Sequence, residues 1–371
     1  MTFKDFNLSS GINRALEEKG YINPTPIQQH AIPQILSGVD IVASAETGTG
    51  KTAAFGLPML HKLSITPHAA GIRALVLVPT RELASQVFDN LKFYGKHLQV
   101  RSAVIFGGVS QFNQVKEIRR GVDILVATPG RLIDLMDQGI ITLRHLQILV
   151  LDEADRMLDM GFIHDIKRLT KVMPPTRQNI FFSATMPAAV QELIKNMTRN
   201  AVRIKAEMST AKGVIDQSVY YVARESKKAL LKHVIAEKSM RNVIVFARTK
   251  HGADKIAKDL NNSGISAEAF HGNKSQTARS RALTSFKRNE TRVLVATDIA
   301  ARGIDINDLP FVINYELPES AETYTHRIGR TGRAGQRGWA LSFCDHEERG
   351  QLNNINRVAA KRLTVVEHPF N

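Results

Sequence analysis

Cysteine is nearly absent from this 371-residue sequence, which contains only Cys344. A single cysteine excludes a disulfide framework and a cysteine-based zinc site, and it fits a reducing compartment. Long apolar runs are missing too, because no stretch approaches the ~18 residues of a membrane span and segment 1–10 lacks the apolar core of a signal peptide. We therefore expect a cytoplasmic protein with no membrane partner.

Acidic residues are outnumbered, with 35 Asp and Glu against 50 Lys and Arg, which gives a formal net charge of +15. This excess favours a polyanionic partner such as a nucleic acid, but charge alone leaves the partner undecided. Low-complexity tracts are absent, and a hydrophobic content of 43% excludes disorder as the dominant state. The length predicts about two domains.

Short runs rich in Val, Ile and Leu recur along the chain and alternate with amphipathic stretches long enough for helices. This alternation predicts an α/β fold with parallel sheets covered by helices on both faces. The sequence also repeats itself weakly, because 78–91 (VPTRELASQVFDNL) resembles 247–260 (ARTKHGADKIAKDL) and LVAT at 125–128 recurs at 294–297 in the same register. Two matches in one register predict two tandem domains of one architecture.

The boundary between these domains is expected in the polar segment 207–216 (EMSTAKGVID), which separates two strand-like runs. The first domain would then cover 1–206 and the second 217–371. A linker of this length lets two domains approach and separate while they remain tethered.

A glycine-rich segment, 45–52 (AETGTGKT), follows the apolar run Ile41–Ala43 and precedes a helical stretch. Small residues let backbone N–H groups close around phosphates, and a helix N-terminus favours their negative charge. Ala45 stands where the strict P-loop pattern has glycine, and the alternative is a chance glycine-rich turn. The P-loop interpretation assigns Lys51 to the β- and γ-phosphates and Thr52 to Mg²⁺. The full set of predicted phosphate-binding residues is Thr47, Gly48, Thr49, Gly50, Lys51 and Thr52.

A second apolar strand ends in acids, in the segment 148–155 (ILVLDEAD). The carboxyl edge of a parallel sheet is where such folds bind ligands. Asp152 therefore suits a role on Mg²⁺, and Glu153 suits orienting and activating a water that attacks a phosphate. The alternative is that these acids only cap the following helix.

The nucleotide base is predicted from the segment 20–28 (GYINPTPIQ). The amide of Gln28 can accept a hydrogen bond from adenine N6–H and donate one to N7, a pairing that guanine does not offer. Phe3, upstream of this segment, is a candidate for stacking on the base. The competing interpretation is that Phe3 and Phe6 anchor the N-terminus to the core.

Taken together, the motifs resemble the DEAD-box ATP-dependent RNA helicases, nearest to the bacterial RhlE-like branch. They occur in family order over essentially the whole chain, at 20–28, 45–52, 79–84 (PTRELA), 107–108 (GG), 128–131 (TPGR), 152–155 (DEAD), 183–185 (SAT), 245–248 (VFAR), 271–272 (HG), 276–279 (QTAR), 296–305 (ATDIAARGID) and 326–333 (HRIGRTGR). The resemblance implies two RecA-like domains, ATP and Mg²⁺ as cofactors, and RNA as the partner.

The segment 326–333 is dense in arginine, with two glycines and no nearby acids expected, and unpaired guanidinium groups of this density favour phosphate. The alternative is a solvated basic loop or a general nucleic-acid patch. The resemblance implies that Arg330 and Arg333 act as arginine fingers and that His326 connects this motif to the SAT segment. It also implies that Gly303 and Asp305 contact the nucleotide, Asp305 through the ribose.

The resemblance further implies an RNA surface of phosphate and sugar contacts that do not read sequence. Its candidate residues are Thr80, Arg81, Gly108, Thr128, Arg131, Arg248, Gly272 and Thr297. For each of them a turn or a helix cap is the alternative. Asp155, Ser183 and Thr185 are expected to couple the ATP site to RNA, whereas helix capping is the alternative expectation for Thr185.

These expectations favour a cytoplasmic, monomeric RNA helicase that couples ATP binding and hydrolysis to RNA binding and to local unwinding of short duplexes. One alternative enzyme is an RNA-dependent ATPase that remodels RNA–protein complexes. An alternative of another class is a non-catalytic, ATP-gated RNA clamp. RNA-stimulated phosphate release separates the clamp from the enzymes, and strand displacement separates the two enzymes.

Overall fold

The structure is a computed structural model, and it describes residues 1–45, 48–66, 71–205, 214–301, 304, 306, 308–332, 337–358 and 363–370. The chain divides into two compact units, Met1–Met208 and Ser209–Asn371. In the ranges given above, no helix combines the length and the apolar character needed to cross a membrane.

The first unit contains seven strands and nine α-helices among its described residues, together with a short 3₁₀ helix at Phe3–Phe6. The strands are β1 Ile41–Ser44, β2 Ala74–Leu77, β3 Ser102–Ile105, β4 Ile124–Ala127, β5 Ile148–Asp152, β6 Gln178–Ser183 and β7 Val202–Lys205. The helices are α1 Ser10–Glu18, α2 Pro26–Leu36, α3 Lys51–Ile65, α4 Arg81–Tyr94, α5 Phe112–Arg119, α6 Pro129–Asp137, α7 Ala154–Asp159, α8 Ile163–Thr170 and α9 Ala188–Met197.

The second unit repeats this alternation, with a 3₁₀ helix at Arg224–Ser226. Its strands are β8 Ile215–Tyr221, β9 Val243–Phe246, β10 Ala267–Phe270, β11 Val293–Ala296, β12 Phe311–Asn314, β13 Gly338–Cys344 and β14 Thr364–Val365. Its helices are α10 Lys227–Glu237, α11 Lys250–Asn261, α12 Gln276–Lys287, α13 Asp298–Ala301, α14 Ala321–Ile328 and α15 Arg349–Val358. Strand β8 begins inside the segment that the sequence assigns to the linker.

The two sheets have the same topology. The strand order is β3-β4-β2-β5-β6-β1-β7 in the first unit and β10-β11-β9-β12-β13-β8-β14 in the second. Every pairing between these strands is parallel. Two tandem RecA-like domains, each a parallel sheet flanked by helices, confirm the predicted fold class.

The central strands are short and apolar because both of their faces are covered. In β2, Leu75 and Leu77 pack into one core while Ala74 and Val76 pack into the core on the other face. Successive side chains of a strand point to opposite faces, so a doubly covered strand must be apolar at every position. The same pattern in β9 divides Val243 and Val245 from Ile244 and Phe246.

Parallel strands bring all of their carboxyl ends to one edge, and this edge is divided between the predicted sites. In the first unit, the predicted RNA contacts follow the neighbouring strands β3, β4 and β2. Predicted ATP contacts follow β5 and β1, and the SAT segment, predicted to couple the two sites, follows β6 between them. In the second unit, the predicted RNA contacts follow β10, β11 and β9, which occupy the same places in the repeat.

Candidate functional site

The segment 20–28 holds the backbone of the loop that is predicted to bind phosphate. Thr25 Oγ1 donates to the carbonyl of Thr49 at 2.8 Å, and Gln28 Nε2 donates to the carbonyl of Gly50 at 3.0 Å. Gly50 has a φ of 89°, and a Cβ there would lie 2.3 Å from Gln28 Nε2. Only glycine therefore suits this position, both for its backbone conformation and for the close approach of the amide.

The predicted base contacts are placed differently. Gln28 is buried, and its Oε1 also accepts a hydrogen bond from Thr25 N at 2.9 Å, so one amide N–H and one lone pair remain for a base. Phe3 is only 4% exposed and packs against Phe6 and Tyr21 at ring distances of 6.1 and 6.4 Å. The packing interpretation describes Phe3 in this structure, and both adenine contacts stay predictions.

Lys51 and Asp152 form a buried polar pair beside this loop. They are 6% and 2% exposed, and Lys51 Nζ lies 3.7 Å from Asp152 Oδ1. That distance is too long for a hydrogen bond, and neither atom has a hydrogen-bond partner among the residues that the structure describes. Burial raises the pKa of Asp152 to about 6, although Lys51 acts in the opposite direction. Buried polar atoms without partners are costly, so this pair is suited to a ligand that supplies phosphate oxygens and a cation.

Glu153 has a left-handed backbone, with a φ of 58°, at the N-terminus of α7. Its side chain makes no capping hydrogen bond; instead, Glu153 Oε2 accepts a hydrogen bond from Arg156 Nη1. The capping alternative therefore does not describe this side chain. The strained backbone and the ion pair together fix the carboxylate beside Asp152.

Asp155 connects the end of β5 to the segment that follows β6. Asp155 Oδ2 accepts hydrogen bonds from Thr185 N at 2.7 Å and from Thr185 Oγ1 at 2.8 Å. Ser183 Oγ accepts from Asp155 N at 3.1 Å and donates to the carbonyl of Thr185 at 2.7 Å. Burial alone would raise the pKa of Asp155, but the hydrogen bonds from Thr185 lower it below its usual value.

The helix-capping expectation for Thr185 is wrong. Helix α9 begins at Ala188, and its N-cap residue is Pro187. The hydroxyl of Thr185 is instead directed to Asp155. The SAT segment is thus bonded directly to the acidic end of β5, as a coupling role requires.

Three predicted RNA contacts of the first unit lie at the start of α4 and in the loop after β3. Thr80 is the N-cap of α4, and its Oγ1 accepts from Leu83 N at 3.3 Å, so the capping alternative holds for this side chain. The guanidinium of Arg81 packs against Gly108, because a Cβ on that glycine would lie 1.9 Å from Arg81 Nη1. Gly108 has a φ of 74°, and this left-handed backbone favours glycine at the position.

The other two contacts of the first unit lie at the start of α6. Thr128 is the N-cap residue of α6 but makes no capping hydrogen bond with its side chain. Arg131 is held from the neighbouring loop, because it donates to Gln114 Oε1 at 3.1 Å and to the carbonyl of Val109 at 3.0 Å. Its guanidinium is therefore positioned before any RNA binds.

In the second unit, Arg248 follows β9 and is anchored by a buried acid. Its Nη2 donates to Glu348 Oε1 at 2.9 Å, while its side chain remains 46% exposed. Glu348 also pairs with the buried Lys227 at 2.5 Å.

Thr297 is buried after β11, and a Cβ on Gly272 would meet only Lys250 Cε, at 3.8 Å. Packing around Gly272 therefore does not require glycine.

In the arginine-rich segment 326–333, two guanidinium groups that the sequence assigns to phosphate already have partners within the protein. Arg327 is 3% exposed and forms a two-pronged ion pair with Asp298, at 2.6 and 2.7 Å. The idea of a segment without nearby acids is therefore wrong in three dimensions. Arg330 is also buried, and its Nη1 donates to the carbonyl of Ile304 at 2.8 Å. His326 lines a small pocket together with Arg330.

Four predicted site residues lie outside the described part of the chain. They are Thr47, Gly303, Asp305 and Arg333. Their assignments stay predictions.

Comparisons with known proteins assign the two units to families. The family model described as DEAD/DEAH box helicase matches residues 25–193, and the one described as helicase conserved C-terminal domain matches residues 226–335. DEAD-box ATP-dependent RNA helicase CshA of Bacillus cereus is 40% identical over 99% of this chain and 70% of its own length. This chain belongs to the DEAD-box ATP-dependent RNA helicases.

The helicase resembles relatives from other organisms over its whole length. CshA of Bacillus subtilis is 40% identical over 100% of this chain and 74% of its own length. Among solved structures, S. cerevisiae Dbp5 bound to RNA and ADP BeF3 has a TM-score of 0.82 and 31% identity, covering 98% of this chain and 95% of that chain. A DEAD box protein from Methanococcus jannaschii is 38% identical, with a TM-score of 0.56 and 99% of each chain covered. These relatives confirm the predicted family and its ATP-dependent RNA helicase activity, while the RhlE-like branch stays a prediction.

Several residues of the helicase site were missed by the sequence reasoning. Arg156 was detectable, because it lies three residues after Glu153 and faces it across one helical turn. Glu348 and Asp298 gave no local signal, since each meets its arginine only after the chain has folded. Neither acid could be found from motif spacing alone.

Proposed function

We propose that the helicase binds ATP at the carboxyl ends of β5, β6 and β1. Single-stranded RNA would bind at the carboxyl ends of β3, β4 and β2 in the first unit and of β10, β11 and β9 in the second. The observation that carries the ATP site is the buried Lys51–Asp152 pair, whose Nζ and Oδ1 atoms have no hydrogen-bond partner within the described ranges of the chain. The observation that supports the RNA surface is the pre-positioning of Arg81, Arg131 and Arg248 by neighbouring groups. We also propose domain limits of 1–206 and 217–371, with 207–216 as linker, of which Ile215 and Asp216 already pair in β8 of the second domain.

The donor set suits magnesium as well as phosphate. Mg²⁺ is usually held by one or two carboxylates together with substrate phosphates, and Asp152 with the hydroxyl of Thr52 supplies hard oxygen ligands of this kind. Bound Mg²⁺ would neutralise charge that develops on the phosphates. Lys51 would contact the β- and γ-phosphates from the first turn of α3. The carboxylate of Glu153, which Arg156 holds in place, would accept the proton of the attacking water.

Coupling to RNA would pass through the hydrogen bonds between Asp155, which follows β5, and Thr185 of the SAT segment. Arg330, with His326 beside it, would stabilise transition-state charge on the γ-phosphate. RNA held by backbone contacts is separated locally from its complementary strand, and hydrolysis resets the enzyme. One chain supplies every residue of this scheme, so we expect a monomer, acting on RNA in the cytoplasm.

The test uses Glu153→Gln, which keeps size and polarity but removes the proton acceptor. The variant should bind ATP and RNA, retain RNA in the presence of ATP, and lower phosphate release by at least about a hundredfold. Wild-type strand displacement from a short RNA duplex supports the helicase, whereas RNA-stimulated phosphate release without displacement favours the remodelling ATPase. Near-normal turnover by Glu153→Gln would remove Glu153 from the role of base, and a wild type without phosphate release would favour the clamp.

A further inference from the structure

Lys19 follows α1 directly, immediately before the segment 20–28, and its ammonium is surrounded by aromatic rings. Lys19 Nζ lies 5.4 Å from the ring centre of Tyr21, 4.8 Å from that of Phe93 and 5.2 Å from that of Tyr94. It also donates a hydrogen bond to Asn90 Oδ1 at 3.3 Å. A cation within about 6 Å of a ring face is attracted by the ring quadrupole, and Lys19 satisfies this condition three times.

The rings belong to two different parts of the first unit. Tyr21 is part of the segment 20–28, whereas Phe93 and Tyr94 are the last two residues of α4. Lys19 therefore joins the start of the proposed adenine-binding segment to a helix that is packed into the core through Val87 and Leu91. Glu18, the last residue of α1, adds ion pairs to Lys96 and His97 just beyond α4. Lys19 is therefore one of several contacts at this junction, and the one whose ammonium faces all three rings.

Tyr21 transmits this attachment along the segment. Its ring stacks on Phe3 with an interplanar angle of 21°, and Phe3 N donates to the carbonyl of Ile22 at 3.3 Å. Downstream of Ile22, Thr25 and Gln28 hold the phosphate-loop carbonyls of Thr49 and Gly50. A shift of Tyr21 would thus reach the hydrogen bonds that position the nucleotide loop.

The geometry points to Lys19 as a positioning residue for ATP, which holds the segment 20–28 against the C-terminal end of α4. This inference rests on the proposed role of that segment in binding adenine. The same helix carries Arg81 of the proposed RNA surface in its first turn. Lys19 therefore sets the nucleotide segment relative to a helix that also serves RNA.

The test compares two variants of Lys19. Lys19→Met keeps a long unbranched side chain but removes its charge, whereas Lys19→Arg keeps a cation over the rings. A cation–π contact of ordinary strength changes an equilibrium constant by roughly twofold to thirtyfold. Lys19→Met should therefore raise the KM for ATP by about three- to tenfold and change kcat at saturating ATP and RNA by less than about twofold. Lys19→Arg should retain the wild-type KM for ATP. Lys92→Met, at an exposed lysine of α4, is the matched control and should leave KM unchanged.

A second variant separates ring contacts from a general charge effect at the end of α1. Phe93→Leu keeps an apolar side chain but removes the ring, so it should raise the KM for ATP like Lys19→Met. Because Phe93 is one of the three rings around Lys19, the double variant should raise KM by less than the product of the two single effects. A helix-dipole effect of Lys19 alone predicts an unchanged KM for Phe93→Leu, and that result would overturn the proposal.

Gln28→Ala distinguishes failure of this inference from failure of the proposed adenine site. If Gln28→Ala raises the KM for ATP while Lys19→Met behaves like Lys92→Met, the positioning role of Lys19 is refuted and the adenine site stands. If Gln28→Ala leaves KM unchanged, the adenine assignment is refuted, and the inference about Lys19 fails with it.

Discussion

Replacing Gly50 by alanine tests whether the segment 20–28 and the phosphate loop form one unit. The left-handed conformation at this position costs an alanine about 1–2 kcal/mol. The added methyl would also lie 2.3 Å from Gln28 Nε2 and 3.2 Å from Thr25 Oγ1. The amide of Gln28 must therefore retreat by about 1 Å to reach ordinary contact distance, which breaks its hydrogen bond to the Gly50 carbonyl.

The functional loss follows from this broken hydrogen bond. A buried amide left without its partner costs about 1–3 kcal/mol, and each 1.4 kcal/mol is tenfold in affinity. Gly50→Ala should therefore weaken ATP binding by about tenfold to a hundredfold, as measured by equilibrium titration with a fluorescent ATP analogue. The Tm of Gly50→Ala in thermal unfolding should also fall, because the alanine is forced into a left-handed backbone conformation.

The matched control is Gly139→Ala. Gly139 has a φ of 70°, but a Cβ there meets no atom within 4 Å. This variant should lose a similar stability while it binds ATP as tightly as the wild type. If Gly50→Ala and Gly139→Ala bind ATP equally well, the link between Gln28 and the phosphate loop does not position the nucleotide.

Two further predictions concern coupling and RNA. Thr185→Val removes the hydroxyl that donates to Asp155 but keeps the backbone N–H donor, so ATP binding should persist while strand displacement per ATP hydrolysed falls several-fold. Displacement per ATP equal to that of the wild type would contradict the coupling role. Arg248→Met should weaken RNA binding and lower the slope of log affinity against log salt by about one, while Arg288→Met, at an exposed arginine of the same unit, should change neither. An unchanged slope for Arg248→Met would place that residue outside the RNA surface.

The sequence predicted where the candidate site residues lie in the fold when they directly follow a strand. Motifs after apolar runs had to reach the carboxyl edge of a parallel sheet, so the places of Lys51, Asp152 and Thr128 followed from pattern alone. The division of that edge between ATP and RNA depends on strand order, which motif spacing does not contain. The repeat between the two halves predicted a shared architecture, and the identical strand orders confirm it.

The remaining errors come from contacts between residues distant in sequence. The segment 326–333 contains no acid, yet folding brings Asp298, the first residue of α13, against Arg327 in α14. Phe3 is a candidate for base stacking whose ring is buried against Phe6 and Tyr21, and its contact with adenine stays a prediction. In each case the partner is fixed by tertiary packing, which local patterns do not record.

The central claim is that ATP hydrolysis and RNA binding occur on one chain and depend on each other. Steady-state phosphate release by the wild type, with no nucleic acid, with saturating single-stranded RNA and with DNA of the same sequence, tests it most directly. The account predicts slow release alone, at least about tenfold stimulation by RNA, and much weaker stimulation by DNA, since contacts to 2′-hydroxyls distinguish the two. Equal rates in all three conditions would contradict it.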